Sequence, residues 1–442
     1  MRGGTERVTV TGKLKRYKMQ KILVKGPMLS QSGYGEHARF VLRALRSREK
    51  DLDIYVLPTS WGQTGWLWED NDERRWLDDL IDKTARYYAE TKRLDMDISV
   101  QVTIPNEWEK IAPVNIGVTA GIETTKVAPV WIEKSRVVDK IITISNHSKD
   151  VYENTTYEAR NEQTGEIIKD FRTTVPIHIV HYPVKEVNPA DIDLDLKTDF
   201  NFLTVAQWGP RKNILNTVRW FVEEFIDQEV GLIVKTNVAR NCYYDRVLCT
   251  NRIQELLKEE KYRNRKCKVY LLHGYMKEDE MSAVYTDDRV KAYVTLTHGE
   301  GFGLPIFESA YHGLPVIAPD WSGHVDFLYM PVKDKKGNAR KRRMFADVEY
   351  RMERIPPDVV WDGVLDGASS WCVPEQGSYK MRLREVYKDY GRFRKRAKEL
   401  QEWVEENFEG GKQYDKMADL LYDMDVYNLE NWLEQLEVET HE

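Results

Sequence analysis

Residues 298–323 read HGEGFGLPIFESAYHGLPVIAPDWSG, and this run decides the fold. It follows the apolar run KAYVTL (291–296) and contains a second strand-like run, PVIA (315–318). Gly299, Gly301 and Gly303 let the backbone turn sharply and come close to a ligand. Pro305 suits the first position of a helix, and Gly313 ends it. Strand, glycine-rich turn, short helix and strand form one unit of a parallel sheet. The helix N-terminus offers free N–H groups and the positive end of the dipole, which suit an anion such as a diphosphate. Glu300 stands just before that helix and Glu308 one turn inside it, so two carboxylates bracket the anion position and can accept from neighbouring hydroxyls. A diphosphate flanked by sugar hydroxyls on both sides is a nucleotide sugar.

The same alternation extends outward in both directions. Upstream, FLTVA (202–206), GLIVK (231–235) and KVYLL (268–272) are strands separated by amphipathic stretches. KILVKG (21–26), DIYVLP (53–58), MDISVQV (96–102), VNIGVT (114–119) and KIITIS (140–145) repeat the pattern in the first half, with a helix from Glu36 to about Arg46. Residues 155–175 read as an excursion or hairpin, and EVNPADIDLDLKTD (186–199) reads as a linker. Consecutive strand-helix-strand units with right-handed crossovers predict an α/β fold: two doubly wound, Rossmann-like domains facing each other across a cleft. The expected division is 1–191, 192–379 and a helical tail, 380–442, packing on both domains. In that tail Phe393, Ala397, Leu400, Val404 and Phe408 recur at three- and four-residue spacing.

Composition narrows the function. The chain has 442 residues, 41% hydrophobic and 31% charged, and a net charge of -6, which argues against a protein that coats nucleic acid non-specifically. No run approaches the roughly 20 apolar residues of a membrane span, and the first residues lack a signal-peptide core, so a cytoplasmic protein is expected. Four cysteines without C-x-x-C spacing support neither disulfides nor zinc. His37, His147, His178 and His181 offer no metal spacing, and no metal is expected.

The EGFGLPIFESAYHGLPVIA stretch resembles, nearly position by position, the large retaining group 1 glycosyltransferase family, which has a GT-B fold and a Glu, seven residues, Glu signature. The resemblance implies transfer of a sugar from a nucleotide-sugar donor to an acceptor hydroxyl with retention, with no further cofactor. It implies that Glu300 contacts the transferring sugar and Glu308 the ribose, with Gly301, Phe302, Gly303 and Leu304 along the donor. VAQWGPRKN (205–213) puts Arg211 and Lys212 where the family neutralises the leaving diphosphate, although Gln207 and Trp208 stand about where its arginine is expected. The family's nucleobase loop corresponds to residues 273–276, implicating Tyr275 and Met276. GPMLSQSGYGEHARF (26–40) resembles the glycine-rich donor loop through Gly33 and Gly35. It also spells G-x-G-x-x-A, yet six residues intervene after the strand and the acid expected at the end of the next strand is absent, which disfavours a dinucleotide site. In place of the family's first-domain histidine, AGIETTKVAPVWIEKS (120–135) offers Glu123.

The acceptor is the open part of the reading. SWGQTGWLW (60–68) places Trp61, Trp66 and Trp68 where they can stack on a sugar or a base, or anchor a loop. KDKKGNARKRR (333–343) holds seven cations against one Asp, so Arg340, Lys341, Arg342 and Arg343, with Lys335 and Lys336, are candidates for contacting a polyanion. The chain is also similar to glycosyltransferases of tailed phages, some of which modify hydroxymethylated DNA bases. A glycan, a lipid carrier or such a base are the acceptors considered. The rival readings are a sugar-nucleotide epimerase on the same fold and a non-catalytic nucleotide-sugar or carbohydrate-binding protein.

Overall fold

The computed structural model describes residues 19–160, 164–333 and 337–422. Two six-stranded, wholly parallel sheets form its frame. The first contains β1 (Gln20–Gly26), β2 (Leu52–Pro58), β3 (Ile98–Val102), β4 (Val114–Val118), β5 (Lys140–Thr143) and β6 (Ile177–Ile179), in spatial order β2-β1-β3-β4-β5-β6. The second contains β7 (Asn201–Gln207), β8 (Gly231–Asn237), β9 (Lys268–His273), β10 (Val290–Val294), β11 (Val316–Pro319) and β12 (Ala346–Val348), in the order β9-β8-β7-β10-β11-β12. Strands such as ISVQV in β3 are buried along their whole length, as sheets covered on both faces by helices require. Strand order reverses at β1/β3 and at β7/β10. In such sheets the ligand crevice opens at the carboxyl ends of the strands beside the reversal. The two doubly wound domains expected from the sequence are thus present.

Apolar packing continues from one domain into the other. Phe302 of the second domain lies 5.2 Å from Tyr182 and 5.9 Å from His181, ring centre to ring centre. The stretch between β6 and β7 has no helix or strand. Phe393, Ala397, Leu400 and Val404 are buried on one face of the helix Tyr390–Asn407, as their spacing predicts. The following helix, Gly410–Leu421, returns to the first domain, where Tyr414 meets Phe40 and the Leu420 carbonyl accepts from Lys140 Nζ at 3.1 Å. The tail beyond residue 422 lies outside the described residues.

Three local features refine the reading. The first helix begins at Gly33, not Glu36, because Ser32 caps it by accepting the Gly35 N–H at 3.0 Å. Residues 157–160 and 167–171 form the hairpin allowed for. Residues 339–343, the end of the basic run, form a strand paired antiparallel with Tyr329–Lys333. A second ribbon, 350–354 with 370–374, carries a connection that grips the first domain: Trp131 Nε1 donates to the Gly363 carbonyl at 2.9 Å, and Ser370 N to Thr125 Oγ1 at 2.9 Å. Among the described residues no helix is long and apolar enough to cross a membrane.

Candidate active site

Arg211 and Lys212 follow β7, and residues 298–303 follow β10, the two strands at which the second sheet reverses its order. The turn Pro210–Lys212, ended by Asn213 at φ 52°, aims both cations at the facing loop. Lys212 Nζ lies 2.6 and 2.7 Å from the two Glu300 carboxylate oxygens. Arg211 donates to Glu300 Oε2 at 3.1 Å and to the Gly299 carbonyl at 2.6 Å. From the other side of the cleft, Glu123 reaches within 3.2 Å of Arg211 Nη2. Glu123, Arg211, Lys212 and Glu300 therefore meet in one charged cluster. Burial alone would raise the Glu300 pKa, but Lys212 and Arg211 outweigh it and hold the carboxylate ionised, with a pKa of about 2.

Gly299 and Gly301 make a close approach, and their partner is the first domain's backbone. A Cβ on Gly299 would stand 2.2 Å from the Glu123 carbonyl oxygen, and one on Gly301 2.1 Å from that of Ala120. Their small size lets loop 120–123 rest on loop 298–303, which is how Glu123 comes to Arg211. Gly303, at φ 91°, takes the left-handed conformation and caps the helix Leu304–Tyr311. Ile306 and Phe307 both donate to the Gly303 carbonyl at 3.0 Å, and Pro305 has no N–H, which leaves the Leu304 N–H and the dipole to face an anion. Phe302 departs from expectation. Its ring is wedged among Tyr182, Phe307 and Phe327, so its side chain belongs to the core and only its backbone can face a ligand.

Glu308 lies on the same helix, partly buried, and its Oε2 accepts from the Tyr285 hydroxyl at 2.8 Å. Burial pushes its pKa up to about 7, against the opposing pull of the Tyr285 hydroxyl and Lys185. Lys235, at the carboxyl end of β8, donates to the Gly274 carbonyl, and burial pulls its pKa down to about 8, with Glu308 opposing. The sequence reading missed Lys235, although a lysine closing the apolar run GLIVK is a legible signal. It also missed Ser322, a non-glycine residue held at φ 80° whose Oγ accepts the Glu300 N–H at 2.9 Å. A third omission is the Glu36 carboxylate, paired with Arg39, Arg43 and Lys185 behind the glycine-rich turn.

The other expected residues are dispersed. Gly33 and Gly35 sit in the first helical turn, where a Cβ on Gly35 would collide with the Ser30 carbonyl. The Tyr275 hydroxyl donates to Glu69 of the first domain, and Met276 packs partly buried against the core. Trp61 is a packing anchor, its ring centre 4.1 Å from that of Tyr34 and the two planes tilted by 31°, while Trp66 is exposed. Arg342 pairs with Glu399, and Arg343 with Asp320 and Asp347. These two arginines pin the ribbon and are not free cations, contrary to the expectation that all four contact a polyanion. Arg340 and Lys341 are exposed on the same strand; Lys335 and Lys336 lie outside the described residues. One cluster with metal-ligand spacing occurs among the described residues, Asp245, Cys249 and His273. Asp245 accepts from the Val238, Ala239 and Arg240 N–H groups and lies 2.8 Å from His273 Nε2, so its oxygens serve to fix that loop.

Neither a family sequence profile nor a curated protein sequence matches the chain. Solved structures do. A sucrose-phosphate synthase from Thermosynechococcus elongatus superposes with a TM-score of 0.57 at 13% identity, covering 91% of this chain and 98% of that one. A glycosyltransferase from Rickettsia africae gives 0.53 at 13% identity, with 93% and 98% covered. Anabaena HepE, solved in complex with UDP and glucose, gives 0.51 at 13% identity, with 91% and 99% covered. At such identities the likeness speaks for the fold: this chain has the two-domain GT-B architecture of these glycosyltransferase structures.

Proposed function

We propose that the chain is a retaining glycosyltransferase that moves a sugar from a nucleotide-sugar donor to an acceptor hydroxyl. The observation that carries this reading is the cluster at the second sheet's reversal: two cations on an ionised glutamate, beside a helix N-terminus and facing Glu123. As the glycosidic bond breaks, negative charge grows on the diphosphate. Lys212, Arg211, the Leu304 N–H and the helix dipole meet that charge without a metal. Glu300 and Glu123 border the transferring sugar, and Glu308 accepts from the ribose. The leaving phosphate takes the acceptor proton on the same face, which accounts for retention without a dedicated base. Closure of the first domain over the second excludes water. The likeness in fold to HepE, solved with UDP and glucose, supports a nucleotide-sugar donor.

The test is incubation with UDP-, GDP- and ADP-sugars, with the anomeric coupling of the product read by NMR. A product of inverted configuration overturns retention, and a donor whose sugar is altered while its nucleotide bond stays intact identifies an epimerase. Lys212→Ala lowers kcat roughly 10²-fold, because its charge matters most in the transition state, while KM for the donor rises less. A change in KM alone makes Lys212 a binding residue.

Glu308 gives a pH signature. The ribose hydroxyls need an ionised acceptor, so affinity for the preferred nucleoside diphosphate tightens as pH rises from about 6 to 8, by up to about tenfold per unit below the pKa. Its folded pKa of about 7 lies above the ordinary 4.5, so the stability it contributes in its protonated form is complete below pH 4.5 and is lost as pH rises from there through about 7. Bound ribose, by favouring the ionised form, offsets that loss. Isothermal titration across this range should show the trend in the native chain and a flat profile in Glu308→Gln.

A further inference from the structure

Large aromatic side chains are mostly buried in this fold; of the few that are more than half exposed, Tyr88 and Trp361 stand apart, whereas Trp66 (55%), Trp68 (67%), Tyr243 (75%) and Tyr244 (83%) belong to segments that meet at the cleft rim. They come from opposite domains and are brought together by specific contacts. The Trp66 segment is tied to the loop after β1, Leu67 N donating to the Leu29 carbonyl and Gln31 N to the Gly65 carbonyl, each at 2.8 Å. Gln31 Oε1 in turn accepts from Asn241 Nδ2 at 3.0 Å, across the cleft and two residues before Tyr243. Trp68 meets Tyr275 edge-on at 6.2 Å, again across the cleft. The rim is also linked to the charged cluster. Trp61, in the same loop, packs against Tyr34, whose hydroxyl lies 2.9 Å from Thr119 Oγ1, and Thr119 leads directly into the loop that carries Glu123.

Exposed aromatic surface at a cleft mouth marks a place where a flat, partly apolar ligand face is covered. The surrounding charge decides which ligand. Trp68 runs straight into Glu69, Asp70, Asp72 and Glu73, and the cations beside them are taken up by acids, Arg75 by Asp70 and Asp72, Arg74 by Asp78, and Arg43 by Glu73 and Glu36. On the opposite side stand Arg240 and Arg246, with Asp245 between them in the sequence. A polynucleotide binds through neutralised phosphates, and a flank whose cations are already paired with carboxylates offers little to neutralise them. The apolar faces of neutral sugar rings carry no charge and fit the rim without penalty. We propose that Trp66, Trp68, Tyr243 and Tyr244 form a stacking platform for an uncharged oligosaccharide acceptor that extends out of the cleft. The inference rests on the glycosyl-transfer reading and adds the acceptor's class to it.

The experiment measures binding of maltoheptaose, cellopentaose and chitopentaose by saturation-transfer NMR and tryptophan fluorescence. A short oligothymidylate and the nucleoside diphosphates serve as comparison ligands. The variants are Trp66→Ala with Trp68→Ala, and Tyr243→Ala with Tyr244→Ala; all four side chains project into solvent, and a circular dichroism melt verifies that each variant folds. At least one oligosaccharide binds the native chain, and each variant weakens it at least about tenfold while leaving nucleoside diphosphate affinity within about twofold. The proposal is overturned if none of the three oligosaccharides binds, if the variants leave the bound one unaffected, if they weaken the nucleoside diphosphate instead, or if oligothymidylate is the ligand they lose. Donor turnover and its sensitivity to Lys212→Ala are read separately, so the platform can fail while the glycosyl-transfer reading stands.

Discussion

Glu300→Gln cuts kcat about 10³-fold, a loss of about 4 kcal/mol of transition-state stabilisation. Glutamine keeps the shape and removes the charge that orders Lys212 and Arg211 at the reacting end of the donor. The substitution also has a stability cost of known sign. The Glu300 pKa is held at about 2, below its ordinary 4.5, so the ionised group stabilises the fold above pH 4.5, and that contribution is lost as pH falls through about 2. The linkage is on the order of 3 kcal/mol for this nearly inaccessible group. Glu300→Gln therefore melts several degrees lower at neutral pH, and the gap to the native chain closes in acid. Glu300→Asp separates the two effects, because it keeps the charge and withdraws the carboxylate by one methylene. It restores most of the melting temperature and still loses at least about 10² in kcat. An aspartate variant of native activity makes Glu300 a charge-balancing residue with no positional role.

The parts of this site legible in the sequence are those written locally. Glycine, proline and acid spacing in residues 298–313 fix a turn, a helix start and a helix stop within one short segment, and runs such as KAYVTL and PVIA bury themselves in parallel strands wherever the neighbours lie. The parts that escaped depend on which distant segments meet. Nothing in HGEGFG says that Gly299 and Gly301 are small to admit the backbone of residues 120–123. Phe302 sits inside the most informative motif, yet its ring is needed by Tyr182 and Phe327, and the motif is silent on that. The run ARKRR reads as free positive charge until Asp320, Asp347 and Glu399 are found beside Arg342 and Arg343. Glu123 was reached by a resemblance of loops, and its contact with Arg211 follows only from the way the two sheets face each other.

That facing contact leads to the second large effect, in Gly301→Ala. The added methyl stands 2.1 Å from the Ala120 carbonyl oxygen, against 3.4 Å for ordinary contact, and the obstacle is backbone, which cannot swing aside as a flexible side chain can. Gly301 does not have a positive φ, so alanine is tolerated by the second domain itself, and the strain falls on the interdomain contact. Loop 120–123 must retreat by about 1 Å or more. A misplacement of that size costs on the order of 10² in rate. Loss of the Glu123–Arg211 pair and entry of water into the reacting cleft add about another factor of ten. The expected result is a roughly 10³-fold fall in kcat with nucleoside diphosphate affinity little changed, because Lys212, Glu308 and the helix N-terminus all belong to the second domain. Small-angle scattering should show a larger radius of gyration for the variant, and donor hydrolysis should gain on transfer. If Gly301→Ala turns over within tenfold of the native chain, turnover does not pass through this closed contact, and Glu123 loses its place in the reacting cluster.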